Sequence, residues 1–221
     1  MSREIASAVW LSVQVAVAAT ALNGLLGIPL AYVLARRRFW GRGLLDLLVT
    51  LPLVLPPTVT GYYLIVLLGR RGALGAPLYA LTGWTIAFTW SAAVIAATVM
   101  ALPLLVRTAR AAIESVDRNL ERAAFTLGRS EWRTALEITL PLARNGILAG
   151  LVLAFARALG EFGATLMLAG NIPGKTATAP LAIYTAVQTG ESEQALLLVG
   201  LLTLLSCAVL VAAGRLGARA Q

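Results

Sequence analysis

The chain is 221 residues long, 59% hydrophobic and only 13% charged, with a mean hydropathy of +0.83 and a formal net charge of +8. Soluble globular domains sit near 45–50% apolar and about 25% charged, so an ordinary soluble enzyme and a disordered chain are both excluded. One cysteine, Cys207, and no histidine exclude an intrachain disulfide scaffold, a Cys₂His₂-type zinc site and a Ser-His-Asp triad.

In chain order, five predominantly apolar stretches are long enough to cross a bilayer, which takes roughly 20 residues per helix. They are residues 8–35, 44–69, 84–106, 145–170 and 194–214. The reading is an all-α, polytopic transmembrane helical bundle, with residues 1–221 forming a single transmembrane domain. The first stretch sits in a charge-free run from 5 to 35. That run is too long for a signal-peptide core and ends in no cleavage site. The second contains Pro52, Pro56 and Pro57 in LPLVLPPTVTGYY, which predicts a broken or strongly kinked helix. Such a break is tolerated where protein or a water-filled cavity covers it. It reads either as a pathway-lining element or as an ordinary kink packed on its neighbours. Pro29 and Pro103 predict further bends.

The connection from 107 to 144 carries seven arginines and five acids. Ile113, Val116, Leu120, Ala124 and Leu127 recur at helical spacing and predict an amphipathic helix. Asp117 is a candidate N-cap for a short helix that begins near Arg118, and Gly128 supplies the residue that ends a helix and turns the chain. Ser130 is a second candidate cap, with Glu131 placed well for the helix dipole. The next helix holds Trp132, Leu136 and Leu140 before Pro141. Ala123 and Ala124 are expected to be exposed or half-exposed. Such a helix suits either a groove on a partner protein or a layer of lipid head groups.

The fourth stretch carries Gly146, Gly150, Ala154 and Ala158, a ridge of small residues that admits a close helix neighbour, within one subunit or across a dimer seam. It also holds Arg157 and Glu161, one helical turn apart. A charge at mid-bilayer costs roughly 2.5–3.5 kcal/mol on insertion scales, so the two are expected to pair. They either line a polar path or neutralise each other between helices. Residues 172–190 contain Pro173, Pro180 and several threonines and are not read as a sixth span. The sequence ends at Gln221, just past the last stretch, so no appended cytoplasmic sensor domain is expected.

Basic residues alternate between the connections. Arg36, Arg37, Arg38 and Arg42, the seven arginines of 107–144, and Arg215 with Arg219 fall on one side, against Arg3, Arg70, Arg71 and Lys175 on the other. The positive-inside rule then places the N-terminus outside and the C-terminus in the cytoplasm. The net charge is a topology signal, not a nucleic-acid footprint.

ERAAFTLGRSEWRTALEITLP, residues 121–141, resembles the EAA loop of ATP-binding-cassette importer permeases, EAA-x₃-G-x₉-I-x-LP. Ala123, Ala124, Gly128, Ile138, Leu140 and Pro141 fall on that pattern. The acid, Glu121, stands one position early, with Arg122 in the usual glutamate place, and Asn145-Gly146 replaces a frequent Pro-Gly. The runs RRRFWGRGLLDLLVTLPLVLPPTVTGYY, LAFARALGEFGATLMLAGNIPGKT and PLAIYTAVQTGE resemble the molybdate permeases of this class, with sulfate/thiosulfate and tungstate permeases as close relatives.

The resemblance implies a homodimer whose loops seat as coupling helices in grooves of two ATP-binding subunits. It also implies an extracytoplasmic binding protein that delivers the oxyanion. Glu121 and the matched residues would then serve ATPase coupling. The chain contains no GxxxxGK[ST] phosphate loop, so ATP and Mg²⁺ are expected on the partner subunit and no cofactor or metal on this one. For the oxyanion path the candidates are Thr58, Thr60, Arg157, Glu161, Thr165 and Asn171, polar groups near kinked or gated segments. A lone ion-coupled carrier is the second reading, though no inverted repeat is visible. A membrane enzyme has little to work with, since Glu161 is the sole carboxylate deep within a stretch.

Overall fold

The computed structural model describes residues 2–218, and side-chain surroundings from 4 to 211. Arg219, counted above among the basic residues of one side, lies outside the described residues, and the side chains of Arg3 and Arg215 are likewise not described. Among the described residues all regular structure is helical. The order is α1 (Ser2–Arg36), α2 (Arg42–Val54), α3 (Pro57–Leu68), α4 (Gly75–Thr82), α5 (Trp90–Glu114) and α6 (Arg118–Thr126). Then come α7 (Glu131–Thr134), a π turn (Ala135–Thr139), α8 (Leu140–Leu142), α9 (Arg144–Leu159), α10 (Gly163–Ala169), α11 (Ala179–Thr189) and α12 (Ser192–Ala218).

Three single helices are long and apolar enough to cross a membrane, those of Glu4–Arg36, Trp90–Glu114 and Ser192–Val211. A fourth crossing is available if Glu131–Leu142 and Arg144–Leu159, bent by 75° at their junction, count as one span. The break expected in stretch 44–69 is present, and two further stretches need correction. Stretch 44–69 is two helices, because Leu55 turns extended ahead of Pro56 and Pro57 restarts the helix at its first turn, where a missing N–H costs nothing. Stretch 84–106 becomes helical only at Trp90, behind the Thr89 cap, and runs on past Val106 to Glu114. Stretch 145–170 stops at Leu159 and resumes as α10. Within 172–190 lies α11, whose 11 residues span about 16 Å and do not cross alone. α1 and α5 continue through Pro29 and Pro103.

α5 is the axis of the bundle. Of its most apolar window 61% is buried, against 33% for α1 and 11% for α12. Its alanine-rich inward face (Ala92, Ala93, Ala96, Ala97, Ala101, Ala109) is fully enclosed and receives α1, α9 and α10. The small-residue ridge of α9 explains the closeness of one contact. A Cβ on Gly146 would collide with the Ala112 Cβ, and one on Gly150 would lie 3.0 Å from Leu105 Cδ1. Ala154 and Ala158 are buried along the same seam. The ridge is thus used inside the subunit. The outer surface stays apolar, with Trp10, Leu25, Val54, Leu196 and Leu204 all well exposed, as hydrocarbon surroundings allow.

The two basic connections meet at one end of the bundle. Arg110 Nη1 donates to Asp46 Oδ2 at 3.0 Å and its Nε to Glu114 Oε1 at 2.9 Å. Arg37 Nη2 donates to Glu131 Oε2 at 2.6 Å, and Arg42 Nη2 lies 3.9 Å from Glu114 Oε1. At another site Glu4 and Ser7 of α1 face Asn171, Gly174 and Gln194 around a cavity of about 480 Å³. Residues 36–42 and 107–144 therefore share an end, as the alternation of charge requires.

We expect Gly150→Leu to destabilise the purified chain by about 1–3 kcal/mol through overpacking. Gly200→Leu, where an added Cβ meets nothing within 4 Å, should stay within about 0.5 kcal/mol. Unfolding by denaturing detergent from mixed micelles measures both. Equal effects would refute the seam.

Candidate coupling loop and broken-helix crossing

The loop after α5 is built by local chemistry. Asp117 Oδ1 accepts from the Asn119 N–H at 2.8 Å and starts α6. Gly128, at φ +77°, ends it: its N–H donates to the Phe125 carbonyl and that of Arg129 to the Ala124 carbonyl, both at 3.0 Å. A residue with a Cβ is disfavoured at that φ. Ser130 Oγ then accepts from the Arg133 N–H at 3.4 Å to open α7. The helix, glycine turn and helix expected from sequence are all present.

The faces of α6 differ sharply. Ala123 is exposed, with Leu127 at 82% and, on α7, Trp132 at 67%. Exposed apolar side chains on neighbouring turns make this loop a candidate interaction surface. Ala124, expected to be at least half-exposed, is buried at 5%. It lies three residues from Glu121 and shares its inward face. Glu121 is itself buried, and its Oε1 accepts from Arg36 Nε at 2.9 Å and from Thr139 Oγ1 at 2.7 Å. Arg36 Nη2 also donates to the Val116 carbonyl at 3.0 Å. The acid of the loop thus faces into the bundle. Ile138 belongs to the π turn and is half-buried, as is Leu140, while Pro141 is exposed at the bend into α9. Arg36 escaped sequence reasoning, since nothing in a run of three arginines marks which one turns inward.

The second cluster lies where the two broken stretches cross. A Cβ on Gly61 of α3 would sit 2.8 Å from Ala164 Cα and Met167 Cβ, and one on Gly163 2.9 Å from Pro57 Cβ. α3 and α10 therefore touch almost backbone to backbone. Both ends of α10 are held. At its start Glu161 Oε1 accepts from the Ala164 N–H at 2.8 Å while Oε2 accepts from Arg157 Nη1 at 2.7 Å. At its end the Phe88 N–H donates to the Leu168 carbonyl at 3.0 Å, with Phe88 at φ +61°, the only non-glycine residue at positive φ among those described.

Of the candidate path residues, Thr58 is exposed beside Gly163, and Thr60 and Thr165 are buried at the same crossing. The Thr60 hydroxyl has no partner there. Glu161 is 2% exposed, and the Arg157 side chain 27%. Asn171 stands apart, donating from Nδ2 to Thr185 Oγ1 at 2.7 Å beside the 480 Å³ cavity. A further polar group went unnoticed in the sequence: Asn23, wholly buried in α1, with neither amide atom bonded. Its signal was an amide in a long apolar run, one that Gln14 shares. No group of His, Cys, Asp or Glu able to hold a metal occurs among the described residues.

A family model described as "Binding-protein-dependent transport system inner membrane component" matches residues 27–220. The chain belongs to this family. Like its other members this permease is a multi-pass membrane protein. It is 53% identical over 190 residues to the molybdenum transport system permease protein ModB of Escherichia coli K12, covering 85% of this chain and 83% of that one. To ModB of Haemophilus influenzae it is 49% identical, covering 85% and 82%. Among solved structures, a bacterial ABC transporter involved in import of the acidic polysaccharide alginate superposes with a TM-score of 0.76. That match covers 99% of this chain and 80% of the other at 17% identity, which speaks to the fold alone.

We expect Glu161→Ala to lower the stability of the permease by about 2–3 kcal/mol, since it strips the α10 N-terminus of its acceptor and leaves Arg157 unpaired. Thr58→Ala, at an exposed hydroxyl, should cost no more than about 0.5 kcal/mol. Detergent-unfolding midpoints separate the two.

Proposed function

We propose that this permease carries molybdate into the cytoplasm as the membrane subunit of an ATP-driven importer. It works as a homodimer with two ATP-binding-cassette subunits, which bind ATP and Mg²⁺, and with an extracytoplasmic oxyanion-binding protein. The N-terminus is external and the C-terminus cytoplasmic. The 53% identity to a molybdenum permease across 85% of the chain carries the reading. The capped α6 with its exposed Ala123 side supports the coupling role, because a small-residue helix face suits a partner groove. With no phosphate loop in the sequence, the hydrolytic chemistry is assigned to the partner.

The crossing of α3 and α10 is the candidate gate region. Hydroxyls of Thr58, Thr60 and Thr165 offer neutral donors to a tetrahedral dianion, and Arg157 one positive charge that Glu161 largely offsets. Neutral donors suit a dianion that has to pass without being trapped, since binding along a pathway must stay weak enough for the ion to leave. Asn171 lies at the external mouth. First capture of the oxyanion belongs to the binding protein.

Two measurements test this. In proteoliposomes holding the whole complex, a charge placed on the coupling face, Ala123→Asp, should lower molybdate uptake by tenfold or more, about 1.4 kcal/mol of lost coupling. Undiminished uptake would refute the loop's role. Competition against labelled molybdate should rank tungstate close to molybdate and sulfate far weaker. Sulfate outcompeting molybdate would move the substrate to the sulfate branch and leave the transporter class intact.

A further inference from the structure

The coupling loop touches the membrane bundle through few buried groups. Within α6 only Glu121 and Ala124 are buried. Ala124 offers a methyl group, which is non-directional, whereas Glu121 holds two directed bonds on a single carboxylate oxygen. Those bonds come from parts of the chain far apart in sequence, Arg36 at the end of α1 and Thr139 in the π turn that leads into α9. Arg36 further ties the Val116 carbonyl, just ahead of α6. One carboxylate and one guanidinium thus join the end of α1, the approach to α6, α6 itself and the entry to α9.

A second pair runs alongside. Arg37 Nη2 donates to Glu131 Oε2 at 2.6 Å, but these side chains are 60% and 41% exposed, against 6% and 11% for Arg36 and Glu121. Exposed pairs are screened and contribute little. A buried, hydrogen-bonded pair cannot slide without leaving a charge unpaired, so it holds one relative geometry. The cavity of about 240 Å³ beside it, walled by Tyr32, Arg118 and Phe125, leaves α6 little other support on that flank.

We propose that Arg36 is a positioning residue: through Glu121 it makes the end of α1 and the coupling helix move as one rigid body when the ATP-binding subunits move. This deepens the importer reading given above and rests on it for the source of motion. α1 lies along both α5 and α9, so a displacement of α6 is delivered directly to the longest helix of the bundle, in addition to passing through the bend into α9.

The experiment uses paired spin labels. Cys207 is the only cysteine, so Cys207→Ser gives a cysteine-free background for labels at Trp40→Cys and Arg118→Cys, both exposed positions. In the complete complex in bilayers, the inter-label distance should hold within about 2 Å between nucleotide-free and ATP-bound states, less than a helix ratchet. A change of about 5 Å or more, one helical turn, would overturn the proposal. Adding Glu121→Gln should broaden the distribution and lower the oxyanion taken up per ATP hydrolysed, and Arg36→Lys in the unsubstituted loop should keep most of both. An unbroadened distribution in Glu121→Gln would also overturn it. If Glu121→Gln fails to assemble, the charge-swapped pair Arg36→Glu with Glu121→Arg decides, with recovery of assembly but not of the narrow distribution counting against the proposal. In the chain alone the same width comparison needs no ATPase. A complex that never forms with unmodified chain would therefore sink the importer reading and leave this arm standing.

Discussion

Hydrocarbon offers no hydrogen bonds, so every backbone break at membrane depth must be covered by protein or by a water-filled cavity. That constraint orders this fold. The chain breaks at Leu55–Pro56 and again at Gly160–Phe162, and both breaks lie at the crossing of α3 and α10. The crossing works because Gly61 and Gly163 remove the side chains that would hold the two backbones apart. The Ala164 N–H, freed at the second break, finds the Glu161 carboxylate, and the carbonyl near the far end of α10 finds the Phe88 N–H. The short helix is therefore fixed at both ends, with α5 as the wall behind it. An Asp or Glu at a helix N-terminus is favoured by the dipole as well, so Glu161 satisfies local backbone and Arg157 at once.

At the opposite extreme the end that carries the arginine-rich connections is polar, yet its ion pairs are not equivalent. Arg110 with Asp46 and Glu114 fixes α2 against α5 in partly exposed surroundings. The Arg36–Glu121 pair is largely buried, and the carboxylate oxygen that takes Arg36 also accepts from a threonine hydroxyl. Burial raises the penalty for parting such groups while doing little for net stability. A linkage of this kind specifies geometry, which suits a segment that has to transmit displacement to a bundle of closely packed alanines.

What could be read from the sequence divides along physical lines. Caps and turns depend on a few adjacent residues, so Asp117, Gly128 and Ser130 were legible and stand where local chemistry puts them. The pairing of Arg157 with Glu161 followed from helical spacing, but the second role of Glu161, as acceptor for Ala164, needed the break at Gly160, which no proline announces. Span boundaries failed where hydropathy cannot distinguish an apolar helix from an apolar loop, as between Trp84 and Thr89. The ridge from Gly146 to Ala158 was visible, while its partner α5 was not, since a small residue fits any close neighbour. Arg36 and Glu121 are 85 positions apart. A contact of that range leaves no trace in spacing, and the inward turn of the loop's acid became evident only in three dimensions.

The length of α1 has one more consequence. Its charge-free run of 31 residues measures about 46 Å as a helix, well beyond a hydrocarbon core of roughly 30 Å. Such a helix must lean, or carry apolar turns out into the head-group layer, and the balance depends on bilayer thickness. Arg36 sits at the tip of that overlong rod. Lipids with longer or shorter acyl chains would swing the tip, so membrane composition bears on where the loop is held, from a distance and without touching it.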